Sequence, residues 1–334
     1  AAALGHLERA AETERDPAAR AKIGELRSRA LTKQGAYGAA LAEAREALEW
    51  TGDPELSADL HLDVGVAASY LGDTTTARDH LRRAAELHRA AGRPRALVRS
   101  HSYEALNEYR AGDARAAAEG YREALEIAEG HGLGDEVAAA ALNLGTACHQ
   151  LGDWGSALAS YERGLPLAAA LGKVSVEATL RFNLAKLYAD VGLLDRSEEN
   201  ARIARARAGE ARLDHLVAAV DALEGEVALA RRDLDRAEEL LGRARDHFER
   251  ASASREVAEM DLDLAEVALA GGDPARATTA LDRAGFADDG GSAEDLAARA
   301  QTLRGRIAAT GGHGSAAIEA LEAAVEQARG VAQQ

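Results

Sequence analysis

Cys148 and His149 are neighbours in a chain of 334 residues that holds no second cysteine. A thiolate nucleophile needs an imidazole within hydrogen-bond reach to take its proton. On a helix, however, adjacent side chains point about 100° apart, and Cys148 falls in a column where Tyr188 stands one repeat later. A buried structural thiol is therefore expected. His88, His101, His131 and His149 show no i, i+4 pairing, and no cysteine cluster joins them, so neither metal nor cofactor is expected. The glycine-rich stretches 130–134 and 311–314 follow no strand and carry no Gly-Lys-Ser or Gly-Lys-Thr, so they read as turns between helices rather than phosphate loops. With no catalytic constellation left, the chain reads as a non-enzyme.

The net charge of −16 argues against direct nucleic-acid binding, because Lys and Arg nowhere cluster without interleaved Asp and Glu. Runs such as Glu198-Glu199 and Glu238-Glu239 read as a solvated outer face. No apolar run approaches the roughly 20 residues of a membrane span, no signal segment opens the chain, and the lone cysteine excludes an intrachain disulfide. A cytoplasmic protein without membrane partners is expected.

What positions the side chains is a repeat. Glycine recurs every 40 residues at Gly72, Gly112, Gly152 and Gly192, is replaced once by Arg232, and returns at Gly272 and Gly312. Seven residues earlier the chain always has Gly or Ala, from Gly65 to Gly305. Each unit reads as two amphipathic helices hinged at the glycine, and Asp73, Asp113, Asp153, Asp233 and Asp273 are placed to cap the second helix, with Ser315 in that role at the end. First helices are expected near Ala18–Gln34, Ser57–Leu71, Leu97–Ala111, Glu136–Leu151, Val176–Val191, Leu213–Arg231, Arg255–Ala270 and Ala293–Thr310. Small columns at Gly145, Ala157 and Gly164 let backbones approach. Pro166 should kink or end its helix, and residues 286–292 read as a loop. A segment near Ala3–Glu12 matches half a repeat, which implies sequence upstream.

The columns Gly145, Cys148 or Tyr188, Leu151-Gly152-Asp153, Trp154, Ala157, Tyr161 and Gly164 resemble the tetratricopeptide repeat, in its longer 40-residue form, over essentially the whole chain. The resemblance implies an all-α solenoid, a right-handed superhelix of about eight helix–turn–helix repeats forming one domain. Its units would lie near 18–53, 54–93, 94–133, 134–173, 174–213, 214–253, 254–292 and 293–334, after the half repeat at 1–15. Trp154 and Tyr161 fall in core columns.

In this family the first helices line a groove, and an Asn column clamps the ligand backbone; here that column carries Asn143 and Asn183, while Asp63, Tyr103, Leu223, Asp263 and Leu303 depart from it. Asn donates and accepts, so it pairs with a peptide unit as a backbone would. The other inward positions implied are Tyr103, Tyr109, Arg110, Thr146, His149, Gln150, Lys186 and Asp190. Loss of Asn at Leu223 places the expected binding region before Arg232. The resemblance thus implies a non-catalytic scaffold for a protein or peptide segment. Two alternatives stand beside it. One is the ligand-sensing region of a larger bacterial signalling protein, a transcriptional regulator or STAND-type ATPase, with an effector domain upstream. The other is an oligomerisation scaffold using the apolar stripe Ala317, Ile318, Leu321, Val325 and Ala328 of the last helix.

Overall fold

A computed structural model describes residues 4–7, 10, 14–285, 294–310, 318, 320, 322–323 and 325 of the chain, and among them it is all-α. The loop expected at 286–292, the cap at Ser315 and most of the terminal apolar stripe lie outside the described residues. The chain packs as two compact units, Ala1–Val176 and Glu177–Gln334.

In the first unit the helices are α1 (Pro17–Lys33), α2 (Tyr37–Trp50), α3 (Pro54–Tyr70), α4 (Thr74–Ala90), α5 (Pro94–Arg110), α6 (Ala114–Gly130), α7 (Gly134–Gln150) and α8 (Trp154–Ala170). Odd-numbered members are first helices of repeats. They begin earlier than expected at α3 and α5 because Pro54 and Pro94 occupy the first turn, where a missing N–H costs nothing. Consecutive helices pack together, and α1, α3, α5 and α7 also approach one another in series, whereas the backbones of α2, α4, α6 and α8 stay further apart and meet through long side chains such as Arg89 to Glu123 and Arg163 to Glu129. The first helices therefore form the tighter layer of this unit. The second unit holds most of α9 (Val174–Asp190), then α10 (Leu194–Glu210), α11 (Asp214–Ala230), α12 (Leu234–Arg250), α13 (Ser254–Ala270), α14 (Pro274–Arg283) and α15 (Glu294–Thr310). There α11, α13 and α15 touch in series in the same way.

The geometric period is half the sequence period. From α3 to α13 every helix has 17 residues, and a three-residue turn follows each. Each turn needs one left-handed residue: Gly72, Gly92, Gly112, Gly132, Gly152, Gly172, Gly192 and Gly272 have φ between +61° and +89°. The next amide bonds back to close the helix, as Asp153 N does to Cys148 O at 2.9 Å. All five expected aspartate caps form, Asp153 accepting from Ser156 N at 3.1 Å.

Arg212, Arg232 and Ser252 hold the same left-handed conformation without being glycine, at φ +55°, +62° and +56°. A side chain there costs about 1 kcal/mol or more. Ser252→Gly is accordingly expected to raise the urea midpoint, by about 1 kcal/mol of stability; a lower midpoint would show that the turn is not strained.

Two sequence expectations are corrected. Pro166 does not end α8, which runs on to Ala170. Proline's fixed φ suits a helix, and both Pro166 and Glu162, whose carbonyl loses its partner, lie on the solvent side where water replaces the bond. Trp154 is not core: it is 46% exposed at the start of α8, whereas Tyr161 is fully buried and packs over Gly145. Gly145 is thus spared a side chain by an aromatic ring.

Candidate functional site

The first-helix layer of the first unit carries a cavity of about 300 Å³ between α5 and α7, backed by Tyr121 of α6. Tyr103 of α5 and Asn143 of α7, one repeat apart, both line it. Around them stand Val98, Arg99, Ser102 and Leu106 from α5 and Glu136 and Ala139 from α7. Helical spacing explains the set: Arg99, Ser102, Tyr103 and Leu106 share one face of α5, and Glu136, Ala139 and Asn143 one face of α7.

The cavity is amphipathic. Val98, Leu106 and the Tyr121 ring supply apolar surface, and Tyr121 is nearly fully buried. Burial pushes the Tyr103 and Tyr121 hydroxyls above the ordinary phenol range, so both stay protonated near neutral pH. Glu136 accepts from Arg95 Nε at 3.0 Å through Oε1, while its Oε2 is buried with no hydrogen-bond partner among the described residues. A buried acceptor left unmade costs about 1–3 kcal/mol, so this atom asks for a donor. The Asn143 side chain, half-buried, makes no hydrogen bond among the described residues.

The remaining expected positions lie elsewhere. Arg110 covers the Tyr70 ring at 4.5 Å, and Tyr37 stacks on Tyr70 at 4.4 Å with the rings 5° from parallel, so Arg110 is occupied in a stack. Burial also raises Tyr109, which is half-buried. Thr146 returns its hydroxyl to Leu142 O at 3.0 Å within α7. His149 is half-buried and Gln150 exposed at the end of α7. None of these five lines the cavity.

Asn183, Lys186 and Asp190 belong to α9 and the second unit, whereas Asn143 is in the first. The Lys186 and Asp190 charges bear on Glu226 of α11, as do those of Asp263 of α13 and Arg299 of α15. Crowding by protein, reinforced by Asp263, pushes Glu226 up to about 7 although its side chain reaches solvent. Arg299 holds Asp263 at 2.5 Å and Glu266 at 2.8 Å.

Sequence reasoning missed Glu136, Arg99, Ser102 and Tyr121. The signal was available for Glu136: counting back from Asn143 by four and seven residues reaches Ala139 and Glu136. Cys148 is buried and its thiol pushed up by that burial, the opposite of what a nucleophile needs. Among the described residues no group of three or more His, Cys, Asp or Glu is placed to hold a metal, and no helix is long and apolar enough to cross a membrane.

No family model and no curated protein matches the chain. Solved structures do. The apo form of the quorum sensor NprR from B. thuringiensis superposes with a TM-score of 0.75 over 97% of this chain and 91% of its own, at 12% identity. A Pyrococcus horikoshii STAND signal transduction ATPase with a tetratricopeptide repeat sensor matches with a TM-score of 0.66 at 18% identity, over 79% of this chain and 41% of that one. The fold is that of the tetratricopeptide repeat. A third such structure, the Rap conjugation gene regulator of plasmid pLS20 in complex with a Phr peptide, matches with a TM-score of 0.54 at 15% identity, over 78% of this chain and 73% of that one. In the tetratricopeptide-repeat frame, Tyr103 and Asn143 occupy equivalent positions on successive first helices, which is why one cavity takes both.

Proposed function

We propose that the chain is a non-catalytic scaffold that holds an extended protein or peptide segment on the first-helix layer of its first unit. The observation that carries this reading is the unbonded, buried Glu136 Oε2 beside Asn143 and Tyr103 in one amphipathic cavity. Asn143 gives and takes a hydrogen bond with a ligand peptide unit, Glu136 Oε2 accepts from a ligand N–H or cationic group, and the Tyr121 floor takes one apolar side chain. A cavity of about 300 Å³ is at the small end for ligands and suits a side chain rather than a whole cofactor. The pLS20 regulator, solved with a peptide on a related fold, supports the ligand class. The −16 charge favours ligands with a basic group over nucleic acid.

A sensing role in a larger bacterial signalling protein accords with the quorum sensor and the STAND sensor that share the fold. In that role the repeats restrain an effector domain until the same cavity fills.

Peptides selected from a random library against the whole chain are the test. Asn143→Ala and Glu136→Gln are each expected to weaken a selected peptide about tenfold, which corresponds to about 1.4 kcal/mol. Binding that ignores both substitutions would place the ligand elsewhere and sink the proposal.

A further inference from the structure

One first-helix position recurs at 61, 101, 141, 181, 221, 261 and 301. In the second unit it carries Asp221 and Asp261, and each carboxylate is clasped by two arginines from the flanking second helices. Asp221 Oδ1 meets Arg205 at 2.6 Å and Arg243 at 2.9 Å. Asp261, fully buried, meets Arg245 at 2.9 Å and Arg283 at 3.0 Å. In both cases one arginine stands 16 residues before the aspartate and the other 22 after it.

The first unit contains the same frame once. Arg45 stands 16 residues before position 61 and Arg83 stands 22 after it, but the residue between them is His61. At 101, 141, 181 and 301, where the central residue is His101, Ala141, Arg181 or Gln301, arginine does not occupy both flanks. The pair of arginines thus goes with the clasp, and at position 61 the clasp lacks its acid.

His61 turns instead to His80 of α4, Nδ1 to Nδ1 at 3.0 Å, so one ring donates and the other accepts. Burial, the other imidazole and Arg83 all oppose a charge on His61, and burial with Arg45 opposes one on His80, against the single carboxylate of Asp79. The other acids nearby are peripheral. Glu86 pairs with Arg83 at 2.8 Å on the exposed surface, and Asp73, engaged in capping Thr76, feels Arg45. Such neighbours do not replace the central acid, because Arg243 keeps Glu239 and Arg245 keeps Glu249 while each still closes on its aspartate. Two arginine charges beside the imidazole pair also make the place hostile to a divalent cation.

We propose that Arg45, His61, His80 and Arg83 form a binding site for an external oxyanion, a carboxylate or phosphate group, which fills the place that Asp221 and Asp261 fill from within the chain. The arginines supply charge-assisted hydrogen bonds, and an imidazole N–H supplies a neutral one. The site lies between second helices and α3, apart from the α5–α7 cavity.

The test follows the ring resonances of His61 and His80 at pH 7 while inorganic phosphate or sodium acetate is added at constant ionic strength, with chloride as control. Saturable shifts with either oxyanion are expected, the stronger of the two naming the preferred group. Arg45→Gln with Arg83→Gln should remove the saturation. His61→Asp should remove it too and raise the thermal midpoint, because it rebuilds the clasp internally. Shifts no different from those in chloride, or undiminished saturation in His61→Asp or in the double arginine variant, would overturn the proposal.

Discussion

Gly145→Ala is expected to cost about 3 kcal/mol of stability, the upper end for overpacking a tight core. A Cβ at Gly145 would stand 2.3 Å from Cε1 and 2.5 Å from Cδ1 of Tyr161. That ring is completely buried and has no space to swing away. The same spacing pairs Gly65 with Leu81 and Gly225 with Leu241, so in these three repeats a large second-helix side chain is matched by an absent one opposite. One repeat further on both equivalent positions are small: Ala185 and Ala201 are buried in one cluster. In a Tyr161→Ala background the penalty of Gly145→Ala should therefore nearly vanish, giving a coupling of about 2 kcal/mol or more in a urea double-mutant cycle. Additive losses would mean that the ring and the glycine do not contact as described.

The protein is expected to be more stable at pH 5 than at pH 7, on the order of 3 kcal/mol. Asp63 and Asp263 are almost fully buried. Asp63 bonds Arg29 Nε at 3.1 Å, but Glu25 and Asp59 share the same guanidinium, so Asp63 does not have that cation to itself. Burial, with Glu25 beside it, pushes Asp63 up to about 7; burial with Glu266 and Glu259 pushes Asp263 up to about 6. Both carboxyls bind protons more tightly in the fold than in the unfolded chain, where the value is 3.8. Their contribution is complete below that value and is lost as pH rises through about 6 for Asp263 and about 7 for Asp63. Asp59 works in the other direction: although burial opposes it, His88 and Arg93 hold it down to about 2, so its contribution is lost only as pH falls below 3.8. The three groups together place their maximum below pH 5, around the unfolded-chain value of 3.8, and Asp63→Asn should flatten the slope between pH 5 and 7. A higher thermal midpoint at pH 7, or a slope that Asp63→Asn leaves unchanged, would contradict this account.

The fold was legible in the sequence because each repeat solves the same backbone problem. A residue that must turn left-handed favours glycine, and an amide row that needs an acceptor favours aspartate, so Gly152 and Asp153 announce their roles by type alone. The shorter geometric period was harder to see because Arg212, Arg232 and Ser252 fill left-handed turns that sterics assign to glycine. Trp154 misled because its column is core by resemblance, whereas its place at the start of α8 leaves the ring half in water.

The site was legible only in part. Tyr103 and Asn143 follow from register, since residues 40 apart sit at the same place on successive first helices. Arg110 and Thr146 follow the same rule but are engaged elsewhere, by Tyr70 and by a carbonyl of their own helix. Whether a polar group is free depends on neighbours distant in sequence, and no spacing reports it. The raised carboxyls of Asp63, Glu226 and Asp263 are hidden for the same reason: crowding around them is a property of packed helices, and the sequence shows only ordinary acids.

Amide hydrogen exchange of the whole chain, with and without a peptide selected for binding, tests the central claim most directly. The account predicts added protection concentrated in α5 and α7, residues 94–110 and 134–150, and its loss in Asn143→Ala at the same peptide concentration. Protection confined to the second helices, or none in α5 and α7 when the peptide is bound, would contradict it.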